Sequence, residues 1–389
     1  MDSSAQQIKA RPHPLRFDRN ELAGAFGDIG TDLPLIVGMI LAAGLDTTSV
    51  LVLFGAMQVF TGVFYRMPMP VQPLKAVAVI VITQKLSGEI LYGGGLAIGL
   101  TMLLLTVTGL VTWLGRVIPK SVVRGVQLGL GLQLASLALK DYVQRDGGWG
   151  YALAGAGFVV SLVLYGNRKY PAALVVLLMG IVYSLATFRL DLYAATQSLG
   201  FNLPQVKAPT LSNIVTGFLV LALPQVPLSI GNSILAARQT AQDLFPDRAF
   251  SLRKISLTYS AMNLINPLLG GLPTCHGSGG MAGHYAYGGR TGGSVVLYGA
   301  FYLALGFFFS GGFQNVIQVF PMPILGVILL FEGLTLMLLI RDVAASRFDF
   351  LITLLVGLMA SALPYGFLIA LVTGTVLAHG LPKLGAFKE

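Results

Sequence analysis

The sequence predicts an all-α, polytopic membrane protein of about fourteen transmembrane segments, arranged as two inverted repeats of seven, each with one broken half-helix. Three observations predict it. Of 389 residues, 55% are hydrophobic and 11% are charged, where soluble domains carry about 25% charged residues. Apolar runs of membrane-spanning length recur along the whole chain. Finally, one apolar stretch in each half is interrupted by Pro, Gly and polar residues: Met67-Pro68-Met69-Pro70-Val71-Gln72-Pro73-Leu74-Lys75-Ala76, and Gly271-Leu272-Pro273-Thr274-Cys275-His276-Gly277-Ser278-Gly279-Gly280. Lipid cannot bond free N–H and C=O groups, so such backbone at membrane depth has to be buried in protein or line a cavity. Interruptions at corresponding positions of two halves mark a binding site between repeats.

In the first half, segments are expected near 22–44, 49–65, 68–86, 93–115, 120–139, 150–166 and 171–187. The second half supplies 210–235, 254–270, 273–288, 292–310, 317–340, 349–363 and 365–380. The broken ones are the third and the tenth. Residues 1–21 form a polar, basic segment without a signal-peptide apolar core, 22–187 the first repeat, 188–209 an extracytoplasmic linker, 210–381 the second repeat and 382–389 a tail. With the N-terminus inside and strict alternation, Lys and Arg divide 18 to 5 in favour of the cytoplasm, Lys75 and Arg124 lying within segments, out of 25 in all. That bias obeys the positive-inside rule and puts both termini in the cytoplasm. It also accounts for the net charge of +9 without nucleic acid. Two short matches support the repeat: Ala56-Met57-Gln58 with Ala261-Met262-Asn263 at an offset of 205, and Arg124-Gly125-Val126-Gln127-Leu128 with Leu325-Gly326-Val327-Ile328-Leu329 at 201. An odd number of segments per repeat makes the second copy inverted. The 48 glycines suit closely packed helices. A single cysteine, Cys275, excludes an intrachain disulfide.

Four motifs carry a resemblance: Gly27-Asp28-Ile29-Gly30-Thr31 in segment 1, Met67 to Lys75 in segment 3, Pro224-Gln225-Val226-Pro227-Leu228-Ser229-Ile230-Gly231-Asn232-Ser233 in segment 8, and Leu272 to Tyr285 with Gly288-Gly289-Arg290 in and after segment 10. Together they resemble the molybdate transporter family, a sulfate-permease-like branch, over nearly the whole chain. The resemblance implies a seven-plus-seven fold shared with sulfate and uracil permeases. Segments 1–4 and 8–11 would form a core domain, and 5–7 and 12–14 a gate domain. It also implies uptake of the dianion MoO₄²⁻ by alternating access. The chain ends at Glu389 without the regulatory domain that sulfate permeases usually add.

The residues agree on the sign of the substrate. Two half-helix N-termini meeting near the midplane present free N–H groups and partial positive charge, an anion site. Thr274, Cys275, Ser278 and the amides of Gly277, Gly279 and Gly280 would donate from one half. Gln72 would donate from the other, with Pro73 in the first turn of its helix. Gln225 is placed near the substrate and Asn232, seven residues on, at the substrate or in an interhelical hydrogen bond. Lys75 is either a counter-charge to the anion or the partner of Asp28 or Glu332. Asp28 is a helix cap or a coupling group, and Asp32 a cap or surface charge. Glu332, inside an apolar segment, is a coupling or gating acid or pairs with Arg124 or Lys75. His276 is a site residue or structural, and His284 structural. Cys275 also reads as a small buried hydrophobe. Gly93-Gly94-Gly95 reads as a turn before a helix, and Arg238 to Pro246 as a polar cytoplasmic connector with a short helix.

Each charge moved inward against an inside-negative potential costs about 2.3 kcal/mol per 100 mV, so dianion uptake needs coupling. Protons are the expected partner, with Asp28, Glu332 and His276 as titratable candidates. Sulfate or tungstate transport, or an anion channel, remain as alternatives. No nucleophile–base pair or metal spacing supports an enzyme, and no cofactor is expected. Expected partners are the oxyanion, lipid, protons and, as one assembly, a second copy in a homodimer. The expected location is the inner membrane if the source is bacterial.

Overall fold

Backbone groups in lipid must be bonded within their own segment, and helices dominate the computed structural model, which describes residues 14–165, 170, 172–187, 199–248 and 250–381. The expected first segment is two helices, α1 (Arg19–Ala25) and α2 (Ile29–Ala43), broken at Phe26-Gly27-Asp28. Then come α3 (Thr47–Tyr65), strand β1 (Val71–Pro73), α4 (Lys75–Gln84), α5 (Gly88–Val107), α6 (Leu110–Val117), α7 (Lys120–Leu137), α8 (Gly147–Val163) and α9 (Ala172–Ala186). The second half has α10 (Leu211–Leu244), α11 (Leu252–Ile265), strand β2 (Thr274–His276), α12 (Ser278–Ala286), α13 (Gly293–Phe308), α14 (Ser310–Val319), α15 (Met322–Leu338), α16 (Arg347–Ala362) and α17 (Gly366–Gly380). The expectations for residues 1–13, 188–198 and 382–389 lie outside the described residues. By length and hydropathy, five described helices are fit to cross a membrane, or six if α13 and α14, bent by 91° at their junction, count as one span.

Several sequence expectations change here. Segment 4 splits into α5 and α6 at Gly109, whose φ of 75° ends the first helix. Gly93-Gly94-Gly95 is no turn but the middle of α5. A side chain at Gly93 would strike the Asn213 carbonyl, and a Cβ at Gly94 would stand 2.7 Å from Leu221 Cδ1, so the triplet lets α10 lie directly on α5. The short helix expected in the polar run from Arg238 is continuous with α10 and ends at Leu244, and Pro246 opens a 3₁₀ turn beyond it. α10 absorbs Pro224 and Pro227 with wide π turns at Phe218–Ala222 and Ser229–Leu235, because each proline removes an amide from the regular ladder.

The all-α expectation needs one correction. β1 and β2 are strands, paired antiparallel with Val71 opposite His276, Gln72 opposite Cys275 and Pro73 opposite Thr274. Residues before proline are pushed to extended backbone, which favours strand over helix at Met67, Met69 and Gln72. Two extended segments buried in a membrane protein satisfy each other by pairing. The outward edge of each strand is then closed by the helix before it. Gln58 Nε2 donates to Val71 O at 2.6 Å and its Oε1 accepts from Val71 N at 2.9 Å. Asn263 Nδ2 donates to Thr274 O at 2.7 Å and its Oδ1 accepts from Thr274 N at 2.9 Å. These are the residues matched at the 205 offset. Asn263→Leu strands both groups in a dry interior and is expected to cost about 2–4 kcal/mol, read as a lowered unfolding midpoint in detergent; an unchanged midpoint would mean that water reaches β2.

One buried acid escaped the sequence reading. Glu21 on α1 accepts from Arg290 N at 3.0 Å, Thr291 N at 2.8 Å and Ser294 N at 3.0 Å, and so caps the N-terminus of α13 across the fold.

Candidate functional site

α4 begins two residues after β1 and α12 two residues after β2, so both helix N-termini lie at the strand pair. Pro73 therefore closes β1 and is not in the first helical turn as expected; Leu74 is the N-cap. Beside the strands is a cavity of about 240 Å³. Gln72 and Lys75 line it from one half, and Cys275, His276, Ser278 and Gly279 from the other. α10 adds Gln225, Leu228, Asn232 and Ser233; α7 adds Arg124, Gln127 and Leu130; α15 and the turn after it add Thr335, Leu336 and Leu339.

The two helix N-termini differ. Gln225 reaches from α10 to the first turn of α4, where its Oε1 accepts from Ala76 N at 3.0 Å and Val77 N at 3.3 Å. Its Nε2 donates to Ser229 Oγ at 3.0 Å, which in turn lies 2.6 Å from Tyr259 Oη. The α4 amides are thus largely occupied. At α12 the N-cap is Gly277, without a side-chain cap. Among the described residues no acceptor takes the amides of Ser278, Gly279 or Gly280. A Cβ built on Gly279 meets nothing within 4 Å, so its backbone faces open space.

Three predicted contacts stand one layer behind the wall. Thr274 is fully buried, its backbone held by Asn263 and its Oγ1 accepting from Asn266 Nδ2 at 3.1 Å. Pro73 sits opposite it in the strand pair. Gly277 donates its amide to Pro70 O at 3.1 Å and packs against the Gln72 side chain so closely that no Cβ fits. His276 touches the cavity wall, but its ring is buried edge-on to Tyr65 at 5.5 Å, with Nε2 2.8 Å from Thr258 Oγ1. His284 is structural, its Nδ1 3.1 Å from Ser294 Oγ. Asn232 makes no side-chain hydrogen bond among the described residues and fronts the cavity, which leaves the interhelical reading without support.

The acids lie behind the donors. Asp28 stands at the N-cap position of α2 but makes no side-chain cap bond; its Oδ2 accepts from Gln72 Nε2 at 2.7 Å. The same oxygen fills the space where Gly280 would carry a Cβ. Asp32, read from sequence as a cap or surface charge, is fully buried and accepts from Tyr298 Oη at 3.2 Å. Glu332 is half-buried one turn before Thr335 and Leu336, outside the lining. The Glu332–Arg124 pair that the sequence left as one alternative does not form among the described residues, where Asp342 holds Arg124. Lys75 attracts Asp28, Asp32 and Glu332 through space, yet among the described residues no carboxylate lies within ion-pair distance of it.

Sequence reasoning missed Arg124, Gln127, Ser233 and Thr335 as lining residues. The available signal was Arg124 itself, a charge inside an apolar span with Gln127 one turn on. Taken together, the wall offers an ammonium, a guanidinium, an open helix N-terminus and neutral donors, and it places its acids behind them. Among the described residues no group of three His, Cys, Asp or Glu side chains is set to hold a metal ion. Such a wall has the donor chemistry of a small-anion site.

Residues 20–134 and 217–336 match the family described as molybdate transporter of MFS superfamily. Molybdate transporter 1 of Arabidopsis thaliana is 33% identical, with 83% of this chain aligned to 80% of that protein. Molybdate transporter 2 of the same plant is 32% identical over 90% of this chain and 85% of its own length. Among solved structures, the transmembrane domain of the cyanobacterial bicarbonate transporter BicA superposes with a TM-score of 0.71 at 17% identity, over 95% of this chain and 99% of that one. The murine solute carrier 26 family member A9 anion transporter, in an inward-facing state, gives 0.68 at 11% identity over 94% and 68%. At those identities the likeness is one of fold.

Proposed function

Since the chain belongs to the molybdate transporter family, we propose that it is a secondary active transporter that takes up molybdate by alternating access, with the anion held at the N-terminus of α12. One observation carries the reading: the uncapped α12 amides, Ser278 and Lys75 face a single cavity whose acids lie behind its donors. The neutral donors and a single unpaired ammonium bind a dianion and still let it leave.

The fourteen-segment, seven-plus-seven arrangement belongs to this proposal, with segments 1–4 and 8–11 as core and the rest as gate. The paired amide clamps of Gln58 and Asn263 support it, because the same device closes each strand at corresponding places. The orientation with cytoplasmic termini, the inner membrane for a bacterial source, and a homodimer belong to the proposal as well. Coupling to protons is part of the same reading, since it offsets the cost of two charges moving inward. Asp28 is the first candidate because it touches the lining residue Gln72.

Calorimetry on purified protein tests the substrate. Molybdate is expected to bind more tightly than sulfate, with tungstate in parallel, and Ser278→Leu serves as the blocked-site control in which the signal disappears. Tight sulfate binding with weak molybdate binding would reassign the substrate. No oxyanion binding by a well-folded sample would sink the dianion reading.

A further inference from the structure

We propose that Arg124 is a second anion receptor on the route out of the cavity, and that Asp342 is a built-in competitor that keeps this receptor weak enough to let the anion go. The inference rests on the oxyanion reading above but concerns residues outside the half-helix site. Arg124 lines the 240 Å³ cavity and also a neighbouring recess of about 280 Å³ that reaches Ile118 and Lys120 at the α7 N-terminus. Only Asn232 shares that double position among the lining residues. An anion moving from the half-helices toward the α7 N-terminus, the side that the charge bias assigns to the cytoplasm, passes between Arg124 and Asn232.

A guanidinium has five N–H donors in a planar fork. Asp342 takes two of them, Nε to Oδ1 at 2.9 Å and Nη2 to Oδ2 at 2.5 Å. Gln127 Oε1 takes a third, from Nη1 at 2.8 Å. Two remain on a side chain that is 16% exposed. Lys120 Nζ also lies 2.8 Å from Asp342 Oδ2, so two cations share one carboxylate and the cluster keeps a net positive charge. Lys75, Arg124 and Lys120 then form a line of cations from the site to the recess.

The Asp342 side chain is 38% exposed, so water can take it when it lets go. A tetrahedral dianion presents the same two-oxygen edge as a carboxylate and carries more charge. It can therefore use the free N–H pair of Arg124 or displace Asp342 from the fork. Asp342 opposes both by neutralising the guanidinium and by repelling the cargo. A receptor held down in this way passes the anion on instead of trapping it. Gln127, one turn along α7, keeps the fork turned toward the cavity.

Molybdate binding by calorimetry and initial rates of uptake into proteoliposomes test this on the full chain, comparing the unmodified protein with Arg124→Gln, Asp342→Asn and the double variant. Arg124→Gln is expected to weaken binding about tenfold or more, the scale of a lost charge-assisted hydrogen bond. Asp342→Asn is expected to tighten binding several-fold and to lower kcat, because release slows. The double variant should follow Arg124→Gln, since Asp342 acts through Arg124. A bridge that only holds α7 to the turn after α15 would give both single variants the same sign, and that result overturns the proposal. So does Arg124→Gln binding like the unmodified protein. If Arg124→Gln does not fold, the sign of the Asp342→Asn shift decides alone: looser or unchanged binding overturns the proposal. Failure of the unmodified chain to bind molybdate, sulfate or tungstate would instead overturn the oxyanion reading and this inference with it.

Discussion

Lys75→Met is expected to weaken molybdate binding by two to three orders of magnitude, the range of about 3–4 kcal/mol that removal of one partner from a desolvated charge pair costs. The reason lies in how α4 begins. Gln225 already occupies the amides of Ala76 and Val77, so this helix offers the anion little from its backbone. What α4 contributes is the ammonium of its first residue, which no carboxylate pairs within ion-pair distance among the described residues. Without that charge the dianion meets neutral donors and the Asp342-held guanidinium of Arg124 in front, and Asp28, Asp32 and Glu332 behind. Met keeps most of the apolar stem, so the fold should hold, and the unfolding midpoint of the empty protein should stay level or rise. Lys75→Arg should retain part of the affinity. Loss of less than threefold in Lys75→Met, with the fold intact, would reduce Lys75 to a structural counter-charge for the acids.

How much of this could be read from the chain differs from element to element. The interruptions at Met67–Lys75 and Gly271–Gly280 were legible because Pro and Gly act on the backbone directly, whatever surrounds them. Gln72, Lys75, Ser278 and Gly279 follow from their places at those breaks, and the structure sets all four on one wall. The strand pair was not legible, since three residues are too few to show a period of two and the partner lies two hundred residues away. Thr274 and Ser278 carry the same chemical group four residues apart. Only the clamp by Asn263 and Asn266 turns Thr274 away. The short helix in the polar run after Leu235 is legible, but its continuity with α10 is not, although no helix stop precedes Phe245-Pro246. Arg124 was visible as a charge in an apolar run, but its meaning depends on Asp342, 218 residues further on. Asp32 was misread for the same reason, as Tyr298, itself hydrogen-bonded to Tyr302, reaches it from another helix.

Asp28→Asn is expected to abolish the stimulation of uptake by an inward proton gradient, while molybdate binding stays intact where Asp28 is protonated and becomes about a hundredfold tighter where it is ionised. Asp28 sits between the lining amide of Gln72 and the first turn of α12, against Gly280, where no Cβ fits. When ionised it places a negative charge one side chain from the bound dianion. Even at the effective dielectric of a protein interior that repulsion amounts to a few kcal/mol. A proton on Asp28 removes it, so proton binding and anion binding favour each other, and by reciprocity each carries the other across. The amide of Asn is neutral at every pH, and its oxygen still accepts from Gln72. The variant therefore keeps the local geometry and loses only the titration. Binding affinity should become flat with pH, and uptake into proteoliposomes should no longer respond to acidification outside. Glu332→Gln is the companion measurement. Glu332 lies one turn from the lining and touches no anion donor directly, so its neutralisation should shift the coupling only weakly. If Glu332→Gln uncouples uptake and Asp28→Asn does not, the proton travels on α15, and Asp28 is left with the task of orienting Gln72.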